Sequence, residues 1–326
     1  MASVKDSPVT THIPYQDLPA ELKLNVWEEL SMPRGVHHFH IDAGVYRFNN
    51  ELTQDIIVKP IDKAKDTSVW RVRNRAKWVD ACSWHALSKK LEAKPKTRQF
   101  WPRTKEIVAA GTQKIEEGTD VAIVDLENDL VCFTHKGMLL QTFFIKMFPW
   151  QEFHGVTRVA LEFRTVLFNQ KPYFCPCPEK PHKVLATCPD MLNCFFSYFE
   201  DLEVFYFVLK LTCATIMAPK PDVDRTGTRS AKKVLKSKAP RVSKKEYIPT
   251  YLARFRDIAH RESLETFEDL KYKYYEVRRQ DTQGVFLKDD VWRSIDALQK
   301  LHHDRVKIKP HLTKKLAYKV LVIADI

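Results

Sequence analysis

The chain has 326 residues, enough for one large domain or two smaller ones. Hydrophobic residues make up 44% of it and aromatic residues 11%, which excludes a chain that is disordered throughout. The low count of 8 glycines argues against glycine-rich phosphate loops and tight β-barrels. The net charge of +12 is unevenly spread: residues 219–245 hold ten Lys and Arg against Asp222 and Asp224, a net +8, which leaves +4 for the rest.

The cysteine content and the apolar segments predict a location inside the cell, in the cytoplasm or nucleus. Seven cysteines, an odd number, are scattered along a long chain and are expected to be reduced. The first 15 residues contain no apolar run of the kind found in signal peptides. The longest apolar stretch, residues 202–218, is interrupted by Glu203 and Lys210 and is short for a membrane span of about 20 residues. We therefore expect no membrane association.

The first predicted element is a helix that follows a polar, flexible N-terminus at residues 1–12. Pro19 suits the first helical position and Glu21 the first turn, where the helix dipole favours an acid. Pro33 ends the helix. Apolar residues four positions apart, with a tryptophan beside them, form one stripe along it: Leu18, Leu22, Val26, Trp27 and Leu30.

The central part of the chain predicts a small mixed sheet with interleaved helices. Alternating residues predict a strand over 35–42, and two short apolar runs at 121–124 and 130–133 predict a β-hairpin. Strands predicted at 156–163 and 202–209 could lie parallel, with a crossover between them, and the second should be central because it is the most hydrophobic. Helices are predicted over residues 76–92 and 138–148.

The C-terminal part has a different composition. Residues 219–245 have no hydrophobic period and predict a solvated basic linker. Beyond it, amphipathic patterns predict helices over residues 251–260, 263–279 and 288–303. The expected fold is therefore α+β, with a domain over residues 13–218, the linker, and a helical C-terminal appendage over residues 246–326.

The opening helix resembles that of the fungal two-EXR domain family. That family has a Leu-Pro-x-Glu-(Leu/Ile)-Arg stretch, then Ile-Trp, then Pro-Arg, and here residues 18–23, Trp27 and residues 33–34 correspond. The segments 124–133, 155–161 and 202–209 are similar to later strands of the family, so the resemblance spans roughly residues 13–210. Lys23 stands where the family has Arg, and Trp84 and Ala86 replace the second Glu-x-Arg. The resemblance implies an F-box-like first helix and implies no catalytic residues.

The leading functional hypothesis is a non-enzymatic protein-interaction module that uses this helix. In F-box proteins a similar helix lies in an apolar groove of the small adaptor subunit of cullin-type ubiquitin ligases. The residues that would meet such a partner are Leu18, Pro19, Leu22, Val26, Trp27 and Leu30. The alternative is that the stripe packs on the protein's own sheet, as helical apolar stripes commonly do.

Two groups of side chains are candidates for metal binding. Cys175, Cys177, His182 and Cys188 could supply four zinc ligands, but their spacing is unlike that of structural zinc sites and loop thiols are the simpler interpretation. His38 and His40 share one strand face next to His37, where a sheet-surface role is the simpler interpretation. We therefore predict no metal and no cofactor.

Two further functions stay open. No nucleophile elbow, phosphate loop, dinucleotide fingerprint or His-Glu-x-x-His motif occurs, so an enzyme would be of an unfamiliar kind. The basic segment could be a nuclear address, a solubilising spacer or an arm that contacts nucleic acid without sequence specificity. Its charged residues include Lys232, Lys233, Lys236, Lys238, Arg241, Lys244 and Lys245.

Overall fold

A computed structural model describes about half of the chain, including most of a large sheet and the helices beside it. The described residues are 15–30, 34–48, 51–62, 64–76, 79–81, 83, 85, 97–100, 122–126, 128–135, 155–163, 192, 195–196, 199, 201–212, 215–217, 244–285, 290–308 and 316–325.

The central element is an eight-stranded mixed sheet. Its strands are β1 (Val36–Phe48), β2 (Glu51–Pro60), β5 (Leu130–His135), β6 (Arg158–Glu162), β7 (Val204–Lys210), β8 (Thr266–Glu268), β9 (Tyr272–Val277) and β10 (Ala317–Asp325). They are arranged in the order β2-β1-β5-β6-β7-β10-β9-β8. Two further strands, β3 (Thr97–Phe100) and β4 (Ala122–Asp125), form a separate antiparallel pair.

Five neighbouring strands of the large sheet are parallel, and antiparallel strands flank them on both sides. β1, β5, β6, β7 and β10 run in the same direction, while β2 pairs antiparallel with β1 and β9 with β10. The predicted parallel arrangement of the strands at 156–163 and 202–209 is confirmed by the pairing of β6 with β7. β7 lies inside the sheet and five of its seven residues are buried, as its hydrophobicity predicted.

The sheet is curled, so that its edge strand β8 approaches the start of β1. An isolated parallel bridge joins Glu268, at the end of β8, to Gly35, and the Glu268 N–H donates to the carbonyl of Arg34 at 3.2 Å. The Phe267 ring packs edge-on against the ring of Tyr206 on β7, with centroids 5.5 Å apart. Because β8 meets both β1 and β7, the side that carries Phe267 and Tyr206 is the concave face.

The convex face carries the larger part of the core. Phenylalanines from β1, β5 and β7 pack there with valines of β10 and with side chains from the helices: Phe39, Phe133, Phe205, Phe207, Val320, Val322, Trp70, Phe255 and Trp292. The helices are α1 (Ala20–Leu30), α2 (Val69–Ala76), α3 (Lys244–Arg261) and α4 (Asp290–Ile308). The Trp70 ring of α2 stacks on Phe39 at 6.5 Å between centroids, so α2 is held against the start of the sheet.

The prediction of a helical C-terminal appendage is wrong. The predicted helices over 251–260 and 288–303 are confirmed by α3 and α4, but residues 263–279 form β8 and β9 instead of a helix. β10 pairs along seven residues with the central strand β7. The C-terminal part therefore completes the same sheet as the N-terminal part, and the basic linker lies between two portions of one α+β fold.

The predicted hairpin at 121–133 is also wrong. β4 pairs with β3, whereas β5 enters the large sheet between β1 and β6. The turn between them is closed by Asp125, whose carbonyl accepts from the N–H of Asn128 at 3.1 Å and of Asp129 at 2.7 Å. The turn redirects the chain from one sheet to the other, so the two apolar runs never pair.

Several predictions fall on residues that the structure does not describe. They are the flexible N-terminus at 1–12, the helix at 138–148, most of the helix at 76–92, and the basic linker up to residue 243. The strand predicted at 35–42 is confirmed and extends further, as β1.

Candidate functional site

Helix α1 exposes two apolar side chains. Lys23 and Leu24 are half-buried, whereas Leu22 is 48% exposed and Val26 is 37% exposed. These two side chains lie four residues apart and so point from the same side of the helix. Of the predicted stripe, Leu18 is half-buried and Pro19 is exposed, and the side chains of Trp27 and Leu30 lie outside the described residues.

One hydrogen bond joins the segment before α1 to Asp80, and further contacts lie within the segment itself. The Tyr15 hydroxyl, in a short 3₁₀ helix just before α1, donates to the Asp80 carboxylate at 2.8 Å. The Lys23 ammonium lies 5.6 Å from the centre of the Tyr15 ring and donates to the carbonyl of Gln16 at 2.8 Å. Val79, the residue before Asp80, is 49% exposed.

A fully buried carboxylate, Asp129, joins the start of β1, the β4–β5 turn and α2. One carboxylate oxygen accepts from the N–H of Gly35 at 2.8 Å, and the other accepts from the N–H of Asp125 at 2.6 Å and from His37 Nε2 at 2.9 Å. The Arg73 guanidinium donates to both oxygens. Burial alone would raise the pKa of Asp129, but Arg73 and His37 hold it well below its usual range.

His37 is held in a single neutral form by its two hydrogen bonds. Its Nδ1 accepts the backbone N–H of Trp70 at 3.2 Å, so the ring proton lies on Nε2, which donates to Asp129. Burial lowers the pKa of His37 below its ordinary value of 6.5, although Asp129 acts in the opposite direction. His37 thus satisfies one of the free N–H groups at the start of α2, a positioning role rather than a catalytic one.

The neighbouring residue His38 points to the concave face and meets a second buried carboxylate. Its Nε2 lies 2.8 Å from Asp269 Oδ2 and 3.2 Å from the Tyr274 hydroxyl. Asp269 stands in the β8–β9 turn, so this contact connects the closing edge of the sheet to β1. The same carboxylate accepts four further hydrogen bonds, from Thr67 Oγ1 at 2.9 Å, the Tyr274 hydroxyl at 2.6 Å and the N–H groups of Lys271 and Tyr272 at 2.8 Å.

Cys132 of β5 completes this group. The register of the two parallel strands places it opposite His38. Burial alone would lower the pKa of His38, but the interactions with Asp269 and Cys132 outweigh burial and raise it to about 10. Cys132, which is buried and forms no disulfide, therefore lies on the same face as His38 and Asp269.

A third polar cluster lies further along the same face. The Lys319 ammonium donates to Glu265 at 2.8 Å and to Glu276 at 3.0 Å, and Glu265 also accepts from the Tyr206 hydroxyl and contacts Arg158 at 3.4 Å. Burial alone would raise the pKa of Glu265, but Lys319 and Tyr206 lower it. Each charge in this cluster has a partner of opposite sign, which is typical of a structural network.

Sequence patterns found the three histidines but not their partners. His37 meets Asp129, 92 residues away, and His38 meets Asp269, 231 residues away. The alternation in β1 predicted that His38 and His40 share a face, which is confirmed, since His40 Nδ1 contacts Thr134 of β5 at 2.8 Å. The proposed zinc ligands Cys175, Cys177, His182 and Cys188 lie outside the described residues.

Comparisons with protein-family models, curated proteins and solved structures found no match. Within the described segments, no three His, Cys, Asp or Glu side chains are arranged so that they could hold a metal ion. Among the helices that the structure describes, none is long and apolar enough to cross a membrane. The candidate functional features of the chain are therefore the exposed side chains of α1, the basic segment and the polar groups of the concave face.

Proposed function

We propose that this chain is a non-enzymatic protein-interaction module that binds a partner through the side of α1 that carries Leu22 and Val26, in the manner of an F-box-like adaptor. The proposal includes membership of the fungal two-EXR family, which is supported by residues 18–23, Trp27 and residues 33–34. The observation that carries it is the exposure of Leu22 and Val26 on the same side of α1.

The two exposed side chains match one recurrent way of recognising a helix. An amphipathic helix binds a groove through apolar residues at positions i and i+4, and Leu22 and Val26 have that spacing. About half of Leu22 and a third of Val26 remain to be buried, which contributes roughly 1 kcal/mol each. That is too little for a stable complex, so the partner must also contact residues around these two.

The test is binding of the purified small adaptor subunit of cullin-type ubiquitin ligases to the full chain, measured by calorimetry. We expect binding by the wild type and at least a tenfold weaker affinity for Leu22→Asp, because the new carboxylate would be buried without a partner. Leu270→Asp is the matched control, since Leu270 is 44% exposed in the β8–β9 turn, and it should bind like the wild type.

Two results would contradict the proposal in different ways. Absence of binding by the wild type would exclude the F-box-like form of the module. Equal binding by Leu22→Asp and Leu270→Asp would exclude α1 as the binding surface. Both variants should unfold at nearly the wild-type urea concentration, because both side chains are about half exposed.

A second candidate function is favoured by the concentration of positive charge in residues 219–245. Its net +8 could attract nucleic acid without sequence specificity. Only Lys244 and Lys245, at the start of α3, belong to the described part of this segment, and Lys245 is exposed.

Binding to a random DNA duplex should weaken steeply with salt, and replacing Lys232, Lys233, Lys236 and Lys238 by Gln should reduce that dependence. Salt-independent binding in a titration by fluorescence anisotropy would exclude this function.

A further inference from the structure

The strand β2 (Glu51–Pro60) forms one edge of the large sheet. Among the strands that the structure describes, it pairs with β1 alone. At ten residues it lacks the short length by which many proteins protect an edge, and its run Ile56-Ile57-Val58 is β-branched throughout. The opposite edge of the sheet differs, since β8 bridges back to Gly35. The outer edge of β2 is therefore a template on which a further strand could pair.

β1 and β2 together extend beyond the other strands of the sheet. β5 pairs with β1 along Val36–Ile41 only, whereas β2 follows β1 along Phe39–Phe48. In residues 42–48 and 51–57, each strand therefore has only the other as its neighbour among the strands that the structure describes. A ribbon of two strands is marginally stable in water, and a third strand stabilises it. A partner that pairs with β2 would supply that strand.

The charges of β2 are spaced so that the strand is complementary to an antiparallel copy of itself. Successive residues direct their backbone hydrogen-bonding groups to opposite sides of a strand, so a two-fold axis between two copies of one edge passes through a residue. An axis through Ile57 places Asp55 of each copy opposite Lys59 of the other. It also pairs Ile56 with Val58. An axis through Asp55 would place that residue opposite itself, and an axis through any other residue of β2 brings no opposite charges together.

Within one chain, neither of these two charges lies opposite its counterpart. The register of β1 and β2 places Gly44 opposite Asp55 and His40 opposite Lys59. A second copy would place an opposite charge directly across from each of them, where such pairs stabilise a sheet. Charged residues on an edge commonly discourage association. In β2 their spacing instead selects one partner and one register.

We propose that this chain forms a two-fold symmetric homodimer in which the β2 strands of two copies pair antiparallel along residues 54–60 and join the two sheets. Such an interface uses the same surface of both copies, so pairing stops at two. It uses no residue of α1, so it is independent of the proposed binding surface at Leu22 and Val26.

The experiment measures the mass of the full chain, kept reduced, by sedimentation equilibrium over a range of concentrations. We expect the wild type to form a reversible dimer with twice the monomer mass of 38.1 kDa. Asp55→Lys and Lys59→Asp should each raise the dissociation constant at least tenfold, because two facing pairs become repulsive at once. The double variant Asp55→Lys/Lys59→Asp exchanges the two charges and should dimerise like the wild type.

A matched control lies on the same strand. Glu51→Lys makes the same change of acid to lysine outside the paired segment, and the dissociation constant should not change. A wild type that is monomeric at every concentration would overturn the proposal, as would a dimer that neither single variant weakens. Weaker dimerisation of both single variants without recovery in the double variant, with circular dichroism showing it folded, would also overturn it.

Hydrogen exchange in the wild type tests the interface without any substitution. Exchange of the backbone N–H groups across residues 51–60 should slow as the concentration rises and the dimer forms, because the outward N–H groups of β2 become hydrogen-bonded. The same exchange rates in the monomer and the dimer would place the interface elsewhere and overturn the proposal.

Discussion

Asp129 is the residue on which the packing around β1 most depends. It is buried, and it accepts hydrogen bonds from two backbone N–H groups, from His37 and from Arg73. The charges of Asp129 and Arg73 are stable away from water only because they pair with each other and every donor has an acceptor. If one partner is lost, the other charge stays buried without a partner of opposite sign.

We therefore predict that Asp129→Asn destabilises the protein by about 3–5 kcal/mol, because the Arg73 charge stays buried and the new amide group faces donors. Urea denaturation measures the loss. Asp296→Asn is the control, since Asp296 pairs with Arg279 at 3.0 Å on the surface, where both side chains are about half exposed. An exposed pair of this kind contributes about 0–1 kcal/mol. Equal losses in the two variants would contradict this account of Asp129.

The adjacent histidines of β1 should give stability a maximum near pH 6.5. Burial lowers the pKa of His37 below 6.5, so its contribution is complete above pH 6.5 and decreases as the pH falls below that value. Interactions with Asp269 and Cys132 overcome burial and raise the pKa of His38 to about 10, so its contribution is complete below pH 6.5 and is lost as the pH rises towards 10.

Urea denaturation between pH 5 and 9 measures this dependence. Each histidine changes the free energy of unfolding by up to about 1.4 kcal/mol per pH unit within its own range. We expect His38→Gln to flatten the decrease above pH 6.5 and to leave the decrease below it. The same slope above pH 6.5 in the variant and the wild type would show that His38 does not cause it.

At the scale of elements, the start of β1 and the start of α2 lie so close together that position 35 has no room for a side chain. Gly35 bridges to Glu268 and donates to Asp129, and a Cβ added to it would lie 2.9 Å from the Cβ of Val69. Val69 is the first residue of α2, so the contact determines how near the helix sits to the curled edge of the sheet.

We predict that Gly35→Ala destabilises the protein by about 1–3 kcal/mol, through overpacking between β1 and α2. Gly284→Ala provides a comparison, because Gly284 has a φ of +74° and open space around its Cβ position, so only backbone strain of about 1 kcal/mol is expected. Thermal unfolding should show the larger loss for Gly35→Ala and should show it reduced by Val69→Ala, which removes two of the three clashing atoms, the Cγ methyls at 3.0 Å. Failure of Val69→Ala to compensate would place the strain elsewhere.

At the scale of the whole molecule, the sheet joins both sides of the basic linker. β10 pairs with β7 on one side, β9 pairs with β10, and β8 reaches the start of β1. A chain that ends at residue 218 lacks these three strands and would expose the buried side of β7.

We predict that residues 1–218 alone do not unfold cooperatively, because the free edge of β7 and the concave face lose their cover. Urea denaturation followed by circular dichroism measures this. Addition of residues 244–326 expressed separately should restore a cooperative transition. A cooperative transition in the shorter chain alone would mean that the N-terminal part is an independent domain.

The sequence by itself determined those elements whose signal is local. α1, α3 and α4 followed from apolar residues at helical spacing, and β1, β6 and β7 from short runs of alternating or continuous apolar residues. The sequence also indicated that β6 and β7 could be parallel, as they are, because the chain between them is long enough for a crossover connection. These inferences need only the chemistry of neighbouring residues.

Only the tertiary structure decided which segments meet. Residues 263–279 have an amphipathic pattern that favours a helix, yet Tyr272–Val277 become a strand because β10 offers a pairing edge. Likewise, nothing near His37 or His38 indicates that Asp129 and Asp269 will lie beside them. Strand pairing and buried ion pairs join residues that are far apart in the chain, and their free energy exists only once the sheet has formed. For that reason the polar group on the concave face could not be read from the sequence.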